Sequence, residues 1–198
     1  MNLANKLTIF RIILVPIMII VTFFDFPGEF LGIPTIAWIL EAIFVIASIT
    51  DKLDGYVARS RNQITTFGKF LDPIADKVLV ITTLIILVEI GKVPAWIPTI
   101  IVFREFIVSG YRLIAVEKGG KVIAANIWGK LKTVTQMVAI IIAIIDNNKF
   151  GAIFEGNLNG IPFIINTITT IMMISCVVAT IFSGWNYIKD GKNLLNEK

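Results

Sequence analysis

The chain has 198 residues, is 56% hydrophobic and carries a net charge of +4, with a mean hydropathy of +0.84. Soluble domains are typically about 45–50% apolar, and the excess here falls in runs of about twenty residues, the length that crosses a bilayer as a helix. The absence of histidine and a single cysteine exclude an intrachain disulfide and a zinc site built from those residues, and the basic residues lie mainly between apolar runs, which points to orientation and anionic lipid rather than to nucleic acid.

Six apolar segments are expected, at roughly 7–24, 33–58, 68–90, 94–117, 124–145 and 161–185. The breaks between them, DFPGEFLG, RSRNQITT, GKVP, EKGGK and DNNKFGAIFEGNLNG, are rich in turn-forming or charged residues. The fold class is therefore all-α, a polytopic membrane protein with six transmembrane helices and a single domain over 1–198. A barrel would read as short alternating strands instead. No internal repeat and no separate soluble domain is visible.

The first segment has the basic flank and apolar stretch of a signal peptide. DFPGEF follows it rather than a small-residue cleavage site, so it reads as a retained span. Asn5 and Thr8, three apart, share a face at its start, and Pro16 bends it. In the second segment Glu41 falls about 12 Å into the span by helical rise, with no assigned role.

The end of the second segment and the start of the third read DKLDGYVARSRNQITTFGKFLDPIADK. Asp51 and Asp54 are three apart, and Asp72 and Asp76 four apart, so each pair occupies one helix face. The intervening Ser, Asn, Thr and Gly68 allow a turn. Two neighbouring helices then aim four carboxylates at one point. Bare carboxylates in a low dielectric would repel and take up protons, whereas two divalent cations cancel the four charges. Oxygen ligands favour a hard cation, Mg²⁺ first and Mn²⁺ second. A structural reading remains beside this one: Asp54-Gly55 as a turn, and Asp72-Pro73 as an N-cap followed by proline in the first turn. The spacing does not suit an EF-hand, whose ligands alternate.

The fourth segment contains FREFIVSGYRLIA. Arg104 falls about 15 Å into the span, where a cation needs an anion, and Arg112 is about two turns further along a similar face. The fifth opens NIWGKLKTVTQ, with Lys130 and Lys132 at its inner start. These four residues are expected to form a basic pocket beside the metals that suits a phosphate group. The alternatives are membrane anchors for the lysines and a pairing of Arg104 with Glu105 or Glu41. Trp38, Trp96, Trp128 and Trp185 suit interfacial belts, and Cys176 a small core position.

With the N terminus in the cytoplasm, the outer loops hold two of the 18 basic residues, Lys92 and Lys149. Positive-inside bias then puts both termini and all four aspartates on the cytoplasmic side, with the active site between the second and third helices.

The stretch Asp51-x2-Asp54-Gly55-x2-Ala58-Arg59-x8-Gly68-x3-Asp72-x3-Asp76 resembles the signature of the CDP-alcohol phosphatidyltransferase family, and all eight fixed positions match. The resemblance implies a metal-dependent transfer of a phosphatidyl group from a CDP-linked lipid to an alcohol, with release of CMP. It implies metal ligation by Asp51, Asp54, Asp72 and Asp76, and general-base action by Asp76. Gly55, Ala58, Arg59 and Gly68 are implied for the CDP-lipid side, with Asn5 and Thr8 beside them. NKLTIFRI, VPAWIPTIIVFREFIVSGYRLIA and GKLKTVTQMVAI extend the resemblance over about residues 2–145, to bacterial members that use sn-glycerol 3-phosphate. CDP-diacylglycerol and sn-glycerol 3-phosphate would give phosphatidylglycerophosphate and CMP, with Arg104, Arg112, Lys130 and Lys132 on the acceptor phosphate. The resemblance also implies a homodimer in a bacterial plasma (inner) membrane. Inositol phosphate, phosphatidylglycerol or serine as acceptor, or a cation or proton transporter, are the rival readings.

Overall fold

The computed structural model describes residues 3–60, 66–117 and 127–196; the side chains of 3–4, 52, 54–60, 66–67, 69, 116–117 and 190–196 lie outside that description. Six α-helices run α1 (Leu3–Val21), α2 (Thr35–Ser60), α3 (Thr66–Glu89), α4 (Trp96–Glu117), α5 (Ile127–Ile145) and α6 (Gly160–Asn196) among the described residues. They follow the six expected apolar segments in order. A helix satisfies the backbone groups of an apolar run within the run itself, as a hydrocarbon surrounding would require.

The chain packs as two compact units. The first comprises residues 1–92 and 141–149, the second 93–140 and 150–198. In the first, α1 packs against both α2 and α3. Phe44 and Met18 are fully buried there, with Leu84 and Leu87 from α3. In the second, α4 packs against α6, with Ile97, Ile101 and Met173 buried.

α6 exposes Ile161, Ile164, Ile168, Ile171, Ile174 and Val178 along one stripe, and buries Asn166, Thr169, Thr170, Thr180 and Ser183. A soluble protein arranges these classes the other way round. α5 and residues 160–189 of α6 are long and apolar enough to cross a membrane.

Three local features depart from the expected segments. The DFPGEFLG break is a small hairpin, with β1 (Glu29–Phe30) antiparallel to β2 (Ile33–Pro34). Its two loop residues, Leu31 and Gly32, both take positive φ (57° and 73°), as a type I′ turn requires. Trp38 Nε1 donates to the Phe30 carbonyl at 3.1 Å and ties the hairpin to α2. The 146–160 connection contains a 3₁₀ turn, Ala152–Glu155. The last helix runs to Asn196 rather than ending near 185, because the polar tail NYIKDGKNLLN contains no proline and its one Gly does not stop a helix already propagating. Trp185 consequently sits inside α6 rather than at its end.

α3 ends in a Schellman motif. Gly91 takes φ 73°, its amide reaches the Val88 carbonyl at 3.0 Å, and the Lys92 amide reaches Leu87 at 2.9 Å. The turn and N-cap alternatives for the aspartates fail here. Asp54-Gly55 lies within α2, and Asp72-Pro73 lies within α3, so neither is a turn or an N-cap.

Candidate active site

Asp51 comes from α2, and Asp72 and Asp76 from α3. Arg11 of α1, fully buried, reaches across to both helices. Its Nη1 lies 3.2 Å from Asp51 Oδ1 and also donates to Asp76 Oδ1. Two carboxylates from different helices therefore converge on one nitrogen atom. Their side chains are 45% and 48% exposed, so the pair opens outward while the arginine beneath it is sealed. Thr8, one turn before Arg11, donates to Asp72 Oδ1 at 2.8 Å. Asn5 is buried one turn earlier still, on the same face of α1.

Gly68 is buried near the start of α3. The side chains of Asp54, Gly55, Ala58 and Arg59 fall outside the described residues. Among the described residues, no three acidic or cysteine side chains gather closely enough to hold a metal. What the described part supplies is a pair of convergent carboxylates with oxygen-only donors and an open face.

The second unit holds the basic residues. Glu105 Oε1 accepts from Arg104 Nη1 at 2.8 Å and from Lys132 Nζ at 2.7 Å. Of the two carboxylates considered for Arg104, Glu105 is a partner. Arg104 also donates to Ser183 Oγ through Nη2. Gly184 gives the Arg104 stem room, since a Cβ there would stand 3.3 Å from Arg104 Cγ. The guanidinium carbons of Arg104 and Arg112 each sit 5.7 Å from the ring centroid of buried Tyr187, within cation–π range. Arg112 Nη2 donates to the Tyr187 hydroxyl at 3.0 Å. Lys130 does not join this group. It is exposed, whereas Lys132, two residues or about 200° further round the helix, is buried. Among the described residues, Arg104 and Lys132 share the Glu105 carboxylate, and Arg112 is held by Tyr187.

The family model for CDP-alcohol phosphatidyltransferase matches residues 1–185. The chain belongs to the CDP-alcohol phosphatidyltransferase family. The family expectation drawn from the aspartate spacing is borne out. Among relatives of this phosphatidyltransferase, the CDP-diacylglycerol–glycerol-3-phosphate 3-phosphatidyltransferase of Bacillus subtilis is 41% identical over 191 residues, covering 94% of this chain and 93% of the relative. The protein of the same name from Haemophilus influenzae is 44% identical over 143 residues, covering 70% and 73%. A probable phosphatidylglycerophosphate synthase of Mycobacterium tuberculosis is 36% identical over 187 residues, covering 94% and 80%.

Arg11, Glu105 and Tyr187 escaped the sequence reading as site residues of this phosphatidyltransferase. Arg11 had a usable signal, because an arginine inside an apolar run calls for an anion, as argued for Arg104. Glu105 was visible only as a neighbour of Arg104. Tyr187 had none, since it lies beyond the expected end of the last span.

Proposed function

We propose that the chain transfers the phosphatidyl group of CDP-diacylglycerol to sn-glycerol 3-phosphate, releasing CMP and forming phosphatidylglycerophosphate. The observation that carries this reading is similarity along nearly the whole chain to relatives whose names specify that donor and that acceptor. The chemistry of the second unit agrees with it. The cations Arg104, Arg112 and Lys132 suit a phosphate monoester of about −2 charge. Serine would leave them unmatched.

The aspartates fit a hard divalent cation, because their donors are all oxygen and carboxylates of α2 and α3 converge. Asp51, Asp54, Asp72 and Asp76 would hold two such ions, Mg²⁺ in the first instance, which supply charge for the phosphate oxygens. Asp76 accepts the proton of the attacking glycerol hydroxyl. A new P–O bond forms at the phosphatidyl phosphorus, the pyrophosphate P–O bond breaks, and CMP departs with the electron pair. Gly55, Ala58, Arg59 and Gly68 line the donor side, and Arg59 matches its phosphate charge. Thr8 acts on this reading through Asp72, to which it is bonded. Arg112, Arg104 and Lys132 take the acceptor phosphate, with Lys130 at the periphery.

Six spans with both termini in the cytoplasm, in a bacterial plasma membrane and as a homodimer, complete the reading. Support for the spans comes from the apolar exteriors of the helices and the positive-inside bias.

The test is CMP release by purified protein in detergent with CDP-diacylglycerol and Mg²⁺. Glycerol 3-phosphate, inositol phosphate, serine and phosphatidylglycerol are offered separately. Release with glycerol 3-phosphate alone is expected. Release only with another alcohol would refute the acceptor.

A further inference from the structure

Arg11 lies in the middle of an apolar helix, is completely buried, and spends its guanidinium on carboxylates of two other helices. A buried arginine that only neutralised one neighbour would need a single partner. Here one nitrogen spans Asp51 of α2 and Asp76 of α3, and Thr8 of the same α1 face holds Asp72. Three of the four aspartates are thus tied to α1, the helix that packs on both α2 and α3. Like charges brought this close repel in a low dielectric. A fixed cation beneath them lowers that repulsion without closing the exposed face above.

We infer that Arg11 is a positioning residue of the aspartate site: a permanent cation that holds Asp51 and Asp76 together and offsets their repulsion, sharing that task with the divalent ions. This rests on the metal reading above, and it adds a residue that reading does not require. Two consequences separate it from ordinary packing. The loss of the Arg11 charge should weaken the fold most where no divalent ion is present. Added divalent ion should then restore part of that loss.

The experiment compares wild type, Arg11→Gln and Arg11→Lys in detergent, each melted in EDTA and in excess Mg²⁺. The Mg²⁺-induced rise in Tm is the readout. Arg11→Gln, neutral, should have a rise larger than wild type by about 4 °C or more, while Arg11→Lys, still charged, should stay near wild type. Arg11→Gln folded only when Mg²⁺ is present would support the inference in its strongest form. An equal Mg²⁺ rise in all three proteins would overturn it, as would an Arg11→Gln protein that Mg²⁺ cannot recover, because either result makes Arg11 a packing residue. A wild type with no Mg²⁺ rise would strike the metal reading itself, and the inference would fall with it.

Discussion

Arg112 stands at the exposed end of a run of contacts that passes through Tyr187, Arg104 and Glu105 to buried Lys132. Its charge is held in place by the Tyr187 ring and hydroxyl, yet it remains accessible to an anion. Arg112→Ala should raise the KM for glycerol 3-phosphate by about tenfold, which corresponds to ~1.4 kcal/mol, with little change in the KM for CDP-diacylglycerol. Steady-state kinetics with each substrate varied in turn checks this; an unchanged acceptor KM would take Arg112 out of the acceptor site. At this scale the sequence was readable wherever chemistry and spacing coincided. Asp51 with Asp54, and Asp72 with Asp76, could be placed on shared helix faces from periodicity alone. The partners that position them could not be paired so easily, because Arg11 lies 40 residues before Asp51 and only tertiary packing brings it there. Lys130 and Lys132 illustrate the opposite error. They look like a pair in sequence, but helical rotation sends one outward and one inward.

Helix ends decide where the elements stop, and they were legible to within a few residues where Gly or Pro marks them. Gly91 is such a case, and its Schellman motif delivers Lys92 to the end of α5. Lys92 Nζ donates to the Ile144 carbonyl at 2.6 Å, in the last turn of α5, where a cation suits the helix dipole. Burial pushes the Lys92 ammonium down to about 8 from 10.5, and Asp146 opposes the shift only partly. Between those values the unfolded chain binds more protons than the folded one, so stability should rise with pH. Below about pH 8 the cost of burying the charge is present in full, and above about 10.5 it is gone. The Tm of wild type minus that of Lys92→Met should therefore increase from pH 7.5 to pH 9.5. Parallel melting curves across that range would contradict the placement of Lys92. The hairpin at residues 29–34 was not legible, because four strand residues around a positive-φ leucine carry no periodic signal. The overrun of α6 was missed because polar residues end an apolar run without ending a helix.

On the scale of the whole molecule, two compact units carry two kinds of chemistry. The first holds the aspartates with Arg11 and Thr8, the second the cations with Glu105 and Tyr187. Helix number and order were legible because turn-forming or charged residues separate the apolar runs. Family membership was legible because eight positions at fixed spacing matched one signature, and the match over residues 1–185 agrees with it. The division into units was not legible, since both are built from the same apolar residues. The central claim is that the aspartate site performs phosphatidyl transfer to glycerol 3-phosphate. The most direct measurement is phosphatidylglycerophosphate formation in liposomes containing CDP-diacylglycerol, glycerol 3-phosphate and Mg²⁺, with wild type and Asp76→Asn compared by mass spectrometry. Wild type should form the lipid only with the metal, and Asp76→Asn, shown folded by its melting transition, should form none. Product from Asp76→Asn at the wild-type rate would contradict the account.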